Sequence, residues 1–166
     1  MTVPAVPDVP ATFAKSEICW LHIDGRGWPA WYAAVGGTAY IVGGPGEQPL
    51  PELPPELPIT LRARVGREHA GRFTASATRL RDGDEGWDEA MGALQPARLN
   101  SPHGKSAATI EHWATEGVVW AVRPDFGSAA PVGRDSPSGA SEPIPTAATT
   151  PVRLPRHFGG RRRRDG

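Results

Sequence analysis

The chain has 166 residues, a single Cys, and 18 Lys+Arg against 18 Asp+Glu, so it carries no net charge, while 20 Gly and 19 Pro fill nearly a quarter of its positions and predict many turns. Its length suits one domain with a real core. No apolar run approaches the ~18 to 20 residues of a bilayer crossing, Met1 to Pro10 lacks the pattern of a signal peptide, and Cys19 alone makes neither an internal disulfide nor a zinc site built on Cys spacing. The expectation is a soluble, cytoplasmic protein held together by packing.

In chain order, residues 1–12, with Pro4, Pro7 and Pro10, read as an extended N-terminal arm. A core of 13–124 follows, with a period of two rather than 3.6. Ile18 to Ile23, Trp28 to Val35, Thr38 to Val42, Ile59 to Val65, Arg72 to Arg79 and Val118 to Arg123 are short runs rich in Val, Ile, Thr, Trp and Tyr. That predicts six strands. Asp24-Gly25-Arg26-Gly27 and Gly36-Gly37 are hairpin-sized turns, so the first three strands are expected to form an antiparallel meander. Residues 43–58, with six Pro, read as a rigid crossing loop that cannot sit inside a sheet. In the fourth strand Ile59, Leu61, Ala63 and Val65 alternate with Thr60, Arg62 and Arg64, one face core and the other polar. Asp84 to Leu94 opens with acids and spaces Trp87, Met91 and Leu94 as a helix does, and a shorter helix is expected around Thr109 to Ala114. The predicted fold is mainly β: a small six-stranded antiparallel barrel with one or two short helices. Residues 125–166 hold 7 Arg against 4 acids among Pro, Ser, Thr, Ala and Gly, with apolar residues too sparse to offset the entropy of ordering them; a disordered tail is expected.

Most candidate motifs fail on spacing. Gly104-Lys105-Ser106 resembles the end of a phosphate loop, but Leu99 stands where the first Gly belongs. Asp82, Asp84 and Asp88 suggest a calcium loop, yet Ala93 occupies the position of the bidentate Glu. His22, His69, His103, His112 and His157 are scattered with no i, i+4 pair, and no Gly-x-Ser-x-Gly turn exposes a nucleophile. No metal site is expected. The Arg161 to Arg164 cluster offers only salt-sensitive attraction to phosphates, so no specific nucleic acid is expected as a partner, nor a membrane. Two features remain. Arg62 and Arg64, with Thr60 beside them, present guanidinium forks able to grip a phosphate, and Trp31, Tyr32 and Tyr40 lie on neighbouring strands where they can flank a planar ring.

The run Gly27-Trp28-Pro29-Ala30-Trp31-Tyr32, then Thr38-Ala39-Tyr40-Ile41-Val42 and Gly43-Gly44-Pro45-Gly46-Glu47-Gln48-Pro49, resembles the opening of the split-barrel flavin and deazaflavin oxidoreductases, relatives of pyridoxamine 5'-phosphate oxidase. Ile59 to Val65, Arg72 to Arg79, Gly83 to Leu94 and Arg98-Leu99-Asn100 look like the following strands and helix of actinobacterial members, the likeness covering roughly residues 14–124. The resemblance implies a split barrel, a homodimer with the flavin at its interface, and an oxidoreductase that binds FMN or a deazaflavin and acts on a small molecule. The positions matching its phosphate clamp best are Arg62 and Arg64, with Lys105 as a third, although the Pro-rich stretch 43–58 intervenes where the family places a basic residue early. Trp31 and Tyr32 would meet the ring. The residues alone leave open a second reading, a cofactor-free β-barrel that serves as a binding or interaction module.

Overall fold

The computed structural model describes residues 8–62, 69–98 and 107–130. Among them the chain forms α1 (Val9–Lys15), β1 (Ile18–Ile23), β2 (Arg26–Trp31), β3 (Ala33–Val35), β4 (Thr38–Gly43), β5 (Glu56–Arg62), β6 (His69–Leu80), α2 (Trp87–Ala97), α3 (Ala107–Thr115) and β7 (Val118–Ala130). The strands make one antiparallel sheet in the order β2-β1-β5-β6-β7-β4-β3. Laid flat, its outermost strands would lie about 29 Å apart at the usual strand spacing of ~4.8 Å. Yet Tyr32 alone separates β2 from β3, and two residues of extended chain span about 7 Å at most. The sheet therefore curls until its two edges meet, which makes the expected split barrel.

This closure corrects the strand count. The run Trp28 to Val35 is two strands rather than one, because its first half pairs with β1 (Leu21 with Trp28, Ile18 with Trp31) and its second half with β4 (Ala34 with Ala39). The meander holds in its hairpins, but the middle strand changes neighbours at Tyr32. Pro58 sits inside the sheet, contrary to expectation, as do Pro29 and Pro124, and each lies where one side has no partner. Pro58 falls outside the β1–β5 ladder, which covers Ile59 to Leu61; Pro29 is on the edge strand β2; Pro124 is past the reach of β4 on β7. A missing N–H on an unpaired side costs no ladder bond.

The described residues contain three short helices where one or two were expected. The extended arm predicted for residues 1–12 ends sooner: Val9–Lys15 is α1, where Asp8 Oδ1 accepts from the Ala11 N–H at 3.1 Å and Pro10 occupies the first turn, which leaves its N–H unneeded anyway. Residues 1–7 lie outside the described residues. The buried Phe13 on α1 stacks on Tyr32 with ring centroids 5.1 Å apart and meets Phe73 and Phe126 edge-on at 6.2 and 5.5 Å, closing one end of the barrel. Phe126 also explains why β7 runs to Ala130, past the predicted boundary at 124: it finds Phe13 and Phe73, and the strand pairs with β6 as far as Arg72 and Ala130. The tail predicted beyond that point lies outside the described residues.

Two apolar clusters result. Inside the barrel lie Phe13, Cys19, Leu21, Ile41, Leu57, Ile59, Leu61, Phe73 and Val122. Outside it, α2 and α3 cover β4 and β7 through Trp87, Met91, Leu94 and Trp113 against Tyr40, Val42, Val119 and Ala121. Hence Ala39 to Val42 and Val119 to Val122 are buried on both faces and read as unbroken apolar runs. Helix α2 begins at Trp87 rather than at the predicted Asp84, whose carboxylate accepts from the Arg81 N–H at 2.8 Å in a turn, while Trp87, Met91 and Leu94 are buried as their spacing predicted.

Candidate functional site

Where the two sheet edges meet, the backbone of β2 has run out of partners, and the side-chain amide of Gln48 supplies them. Trp31 N–H donates to Gln48 Oε1 at 2.8 Å, and Gln48 Nε2 donates to the carbonyls of Trp31 at 3.0 Å and Val42 at 2.9 Å. Both amide hydrogens and the amide oxygen are used, so Gln48 behaves like a residue of a further strand laid across the seam. The Tyr32 N–H donates to the Glu17 carbonyl at 2.9 Å on the other side.

Beside this seam opens a cleft of about 410 Å³, lined by Glu17, Ile18, Trp31, Tyr32, Pro96, Ala97 and Arg98. Ile18 is 51% exposed at its rim. Trp31 is half-buried and forms a flat wall, with the Arg98 guanidinium 5.9 Å from its ring centre. Arg98 follows the last turn of α2 and is held by the loop after β4: its Nε donates to Glu47 Oε2 at 2.8 Å and its Nη2 to the Gly46 carbonyl at 3.3 Å. The Glu47 side chain is only 2% exposed, and its other oxygen accepts from the Trp113 indole N–H at 2.9 Å. Two charge-assisted bonds satisfy this carboxylate in the interior, which is the condition for burying one at all.

The aromatic pair singled out from the sequence thus divides in role. Trp31 faces the cleft. Tyr32 lines it but is rooted in the core, its ring stacked on Phe13 and its hydroxyl donating to the Phe13 carbonyl at 2.8 Å; burial holds its phenol well above the ordinary range. Tyr40 lies elsewhere, at a polar cleft of about 600 Å³ whose lining includes Thr38, Asp84, Asp88, Glu89 and Arg123; its hydroxyl donates to Glu89 at 2.5 Å, and burial with that partner pushes its pKa up to about 12. Thr60 is buried, its hydroxyl 2.7 Å from His22 Nε2, and it is not part of the cleft lining. Arg62 ends β5 opposite His69 on β6, one residue past Leu61, which pairs with Cys19. The ladder with β1 stops at Leu61 and the pairing with β6 shifts register between Leu61 and Arg62, so Arg62 lies just beyond the part of β5 that β1 pairs; Ile18, next to Cys19 on β1, pairs with Trp31. With β1 between them, Leu61 and Ala30, both opposite Cys19, stand two strand spacings, about 10 Å, apart. Arg64 and Lys105 lie outside the described residues.

Reasoning from sequence missed Arg98, Glu47 and Gln48. A single Arg after a helix has no periodicity to mark it, but an acid and an amide directly after Gly43-Gly44-Pro45-Gly46, where an apolar strand ends, are the kind of polar pair that a strand-end turn brings inward.

No protein-family model matches the chain, and no curated protein matches it. Among solved structures, a conserved hypothetical protein from Mycobacterium tuberculosis is similar over 75% of this chain and 89% of its own, at 11% identity and a TM-score of 0.47. A putative 5-nitroimidazole antibiotic resistance protein from Bacteroides thetaiotaomicron is similar over 69% of this chain and 76% of its own, at 15% identity and a TM-score of 0.39. The chain's own strand order and pairing make it a split barrel, and among the described residues no helix is long and apolar enough to cross a membrane.

Proposed function

We propose that the cleft beside Trp31 binds the ring of FMN or a deazaflavin, and that the chain is a flavin-dependent oxidoreductase acting on a small molecule. One observation carries the reading: a cleft of about 410 Å³, within the about 300–1,000 Å³ usual for ligand sites, has a flat aromatic and apolar wall formed by Trp31, Ile18 and Pro96. The residues fit the ring half of such a cofactor. Trp31, with Ile18 and Pro96, offers an apolar face for it and keeps water from it, while Arg98 extends the flat surface as a guanidinium held in plane by Glu47. Tyr32 backs Trp31 without reaching a ligand through its hydroxyl. In this reading the anionic end falls to Arg62, Arg64 and Lys105 as charge-assisted donors. Thr60, bonded to His22, takes no part. A bound flavin or deazaflavin supplies hydride transfer, so the chain's task is orientation rather than side-chain acid or base chemistry. Assembly as a homodimer belongs to the same proposal, with the exposed Ile18 as a contact to be covered, and sedimentation velocity of the full chain checks it.

The alternative, a cofactor-free binding module, is favoured by one feature: the charge of Arg98 is already met by buried Glu47. Titrating the full chain with FMN, riboflavin and a deazaflavin separates the two readings. Saturable quenching of ligand fluorescence supports the cofactor site; no response to any of the three leaves the module.

A further inference from the structure

We propose that Glu47 and Gln48 are the positioning residues of the cleft: this one dipeptide fixes both of its working walls, Trp31 through Gln48 and Arg98 through Glu47, so ligand occupancy and the order of the loop after β4 form one coupled equilibrium. The ligand part of the claim rests on the ring-binding reading above; the positioning part rests on the ligand-free geometry.

Trp31 ends an edge strand and Arg98 follows a helix, with β3 to β6 between them along the chain. The loop ties them. Gln48 fixes the Trp31 backbone by its N–H and its carbonyl at once, which sets the strand's height and twist at that residue, and it adds Val42 on β4 as a third point. Glu47 fixes Arg98 at Nε, the atom that orients the whole guanidinium plane, and braces itself on the Trp113 indole of α3. The loop is in turn clamped from outside. His112 Nε2 lies 2.8 Å from the Pro45 carbonyl, which can only accept, so that nitrogen carries the proton. Gly44 has φ +116°, a conformation other residues rarely adopt, and a Cβ there would stand 3.1 Å from the Glu116 carbonyl at the end of α3. The start of the Pro-rich stretch 43–58 is the part that sets the cleft. By linkage, whatever binds between Trp31 and Arg98 gains affinity from an ordered loop and must tighten that loop by the same factor.

The test has two arms on the full chain. Without ligand, nuclear magnetic resonance reads water exchange of the Arg98 Nε–H, the Trp113 indole N–H and the Trp31 amide. Glu47→Asp keeps the charge but shortens the arm, and is expected to speed exchange of the first two at least tenfold. Gln48→Ala is expected to do the same to the third, with the Cys19 amide as the control for global unfolding. Unchanged rates overturn the positioning role. With riboflavin as the probe, both variants are expected to raise the dissociation constant at least tenfold while remaining folded by circular dichroism, and faster exchange with an unchanged constant overturns the coupling. If Glu47→Asp does not fold, Trp113→Phe loosens the same carboxylate and is read in the same way. If the wild-type chain binds FMN or the deazaflavin but not riboflavin, that ligand replaces it as the probe; if it binds none of the three, the ring-binding reading falls and with it the coupling, whereas the exchange rates still decide whether the dipeptide positions Trp31 and Arg98.

Discussion

Removing the Gln48 amide tests how the barrel is closed. In Gln48→Ala three hydrogen bonds disappear, leaving the Trp31 N–H and the carbonyls of Trp31 and Val42 without that partner at a partly buried seam. At about 1 kcal/mol each in net terms, the loss should be about 3 kcal/mol. For about 100 ordered residues that corresponds to a fall in Tm of about 12 °C. Urea unfolding followed by tryptophan fluorescence gives the free energy directly. Gln48→Glu sharpens the test, because it keeps the acceptor for the Trp31 N–H but turns a carboxylate toward two carbonyls. The folded state should hold the introduced carboxyl above its ordinary pKa, so its contribution is present at low pH and lost as pH rises. The deficit relative to wild type should be larger at pH 7 than at pH 4. A loss below about 0.5 kcal/mol in Gln48→Ala, the range of an ordinary surface change, would refute the idea that this amide stands in for a strand.

The other structural expectations are simpler. Phe13→Ala opens the barrel end that this ring fills between Tyr32, Phe73 and Phe126 and should cost about 3–5 kcal/mol by urea unfolding; a cost under about 1 kcal/mol would mean that α1 is not part of the fold. A chain ended after Ala130 should be more stable than one ended after Pro124 by at least about 3 kcal/mol, since only the former keeps Phe126 and the outer β6–β7 pairs. Burial pushes the Cys19 thiol up to about 12, so a thiol reagent at pH 8 should leave the native chain untouched and label it once unfolded. Tyr40 is neutral in the fold up to about pH 12 and titrates near 10 when unfolded; the stability this difference represents is full below pH 10 and should be lost between pH 10 and 12. Burial holds up Tyr32 and Cys19 as well, so the share of Tyr40 is the pH dependence that Tyr40→Phe removes; identical profiles for wild type and Tyr40→Phe across that window would show Tyr40 to be open to water.

The elements legible in the sequence are those whose signal is local. Ile18 to Ile23 was readable to the residue, because its alternation stops at Asp24-Gly25, where both residues take positive φ. The apolar face of α2 was readable from three side chains. What the sequence hides is long-range. Nothing within Trp28 to Val35 says that the chain changes partners at Tyr32, since the alternation continues through a residue that closes a barrel. Phe126 looked too isolated to order a strand because its partners, Phe13 and Phe73, are far away along the chain. Counting prolines misled twice, at Pro10 and Pro58, because the cost of a proline depends on whether its N–H was needed there. At the cleft, Trp31 stood out as an aromatic on a strand, whereas Arg62 ends β5 beyond its ladder with β1. Thr60 followed from the alternation of β5 but is held by His22, and Arg98 is marked by nothing except the Glu47 that it meets.

The central claim is that the Trp31 cleft holds a flat ring with its anionic end toward Arg62, and comparing FMN with riboflavin on the full chain tests it most directly. The account predicts that both quench on binding, that FMN binds at least tenfold tighter, about 1.4 kcal/mol, and that Arg62→Ala removes this preference while riboflavin affinity stays the same. Quenching by neither compound at millimolar concentration, or an FMN preference that survives Arg62→Ala, would contradict it.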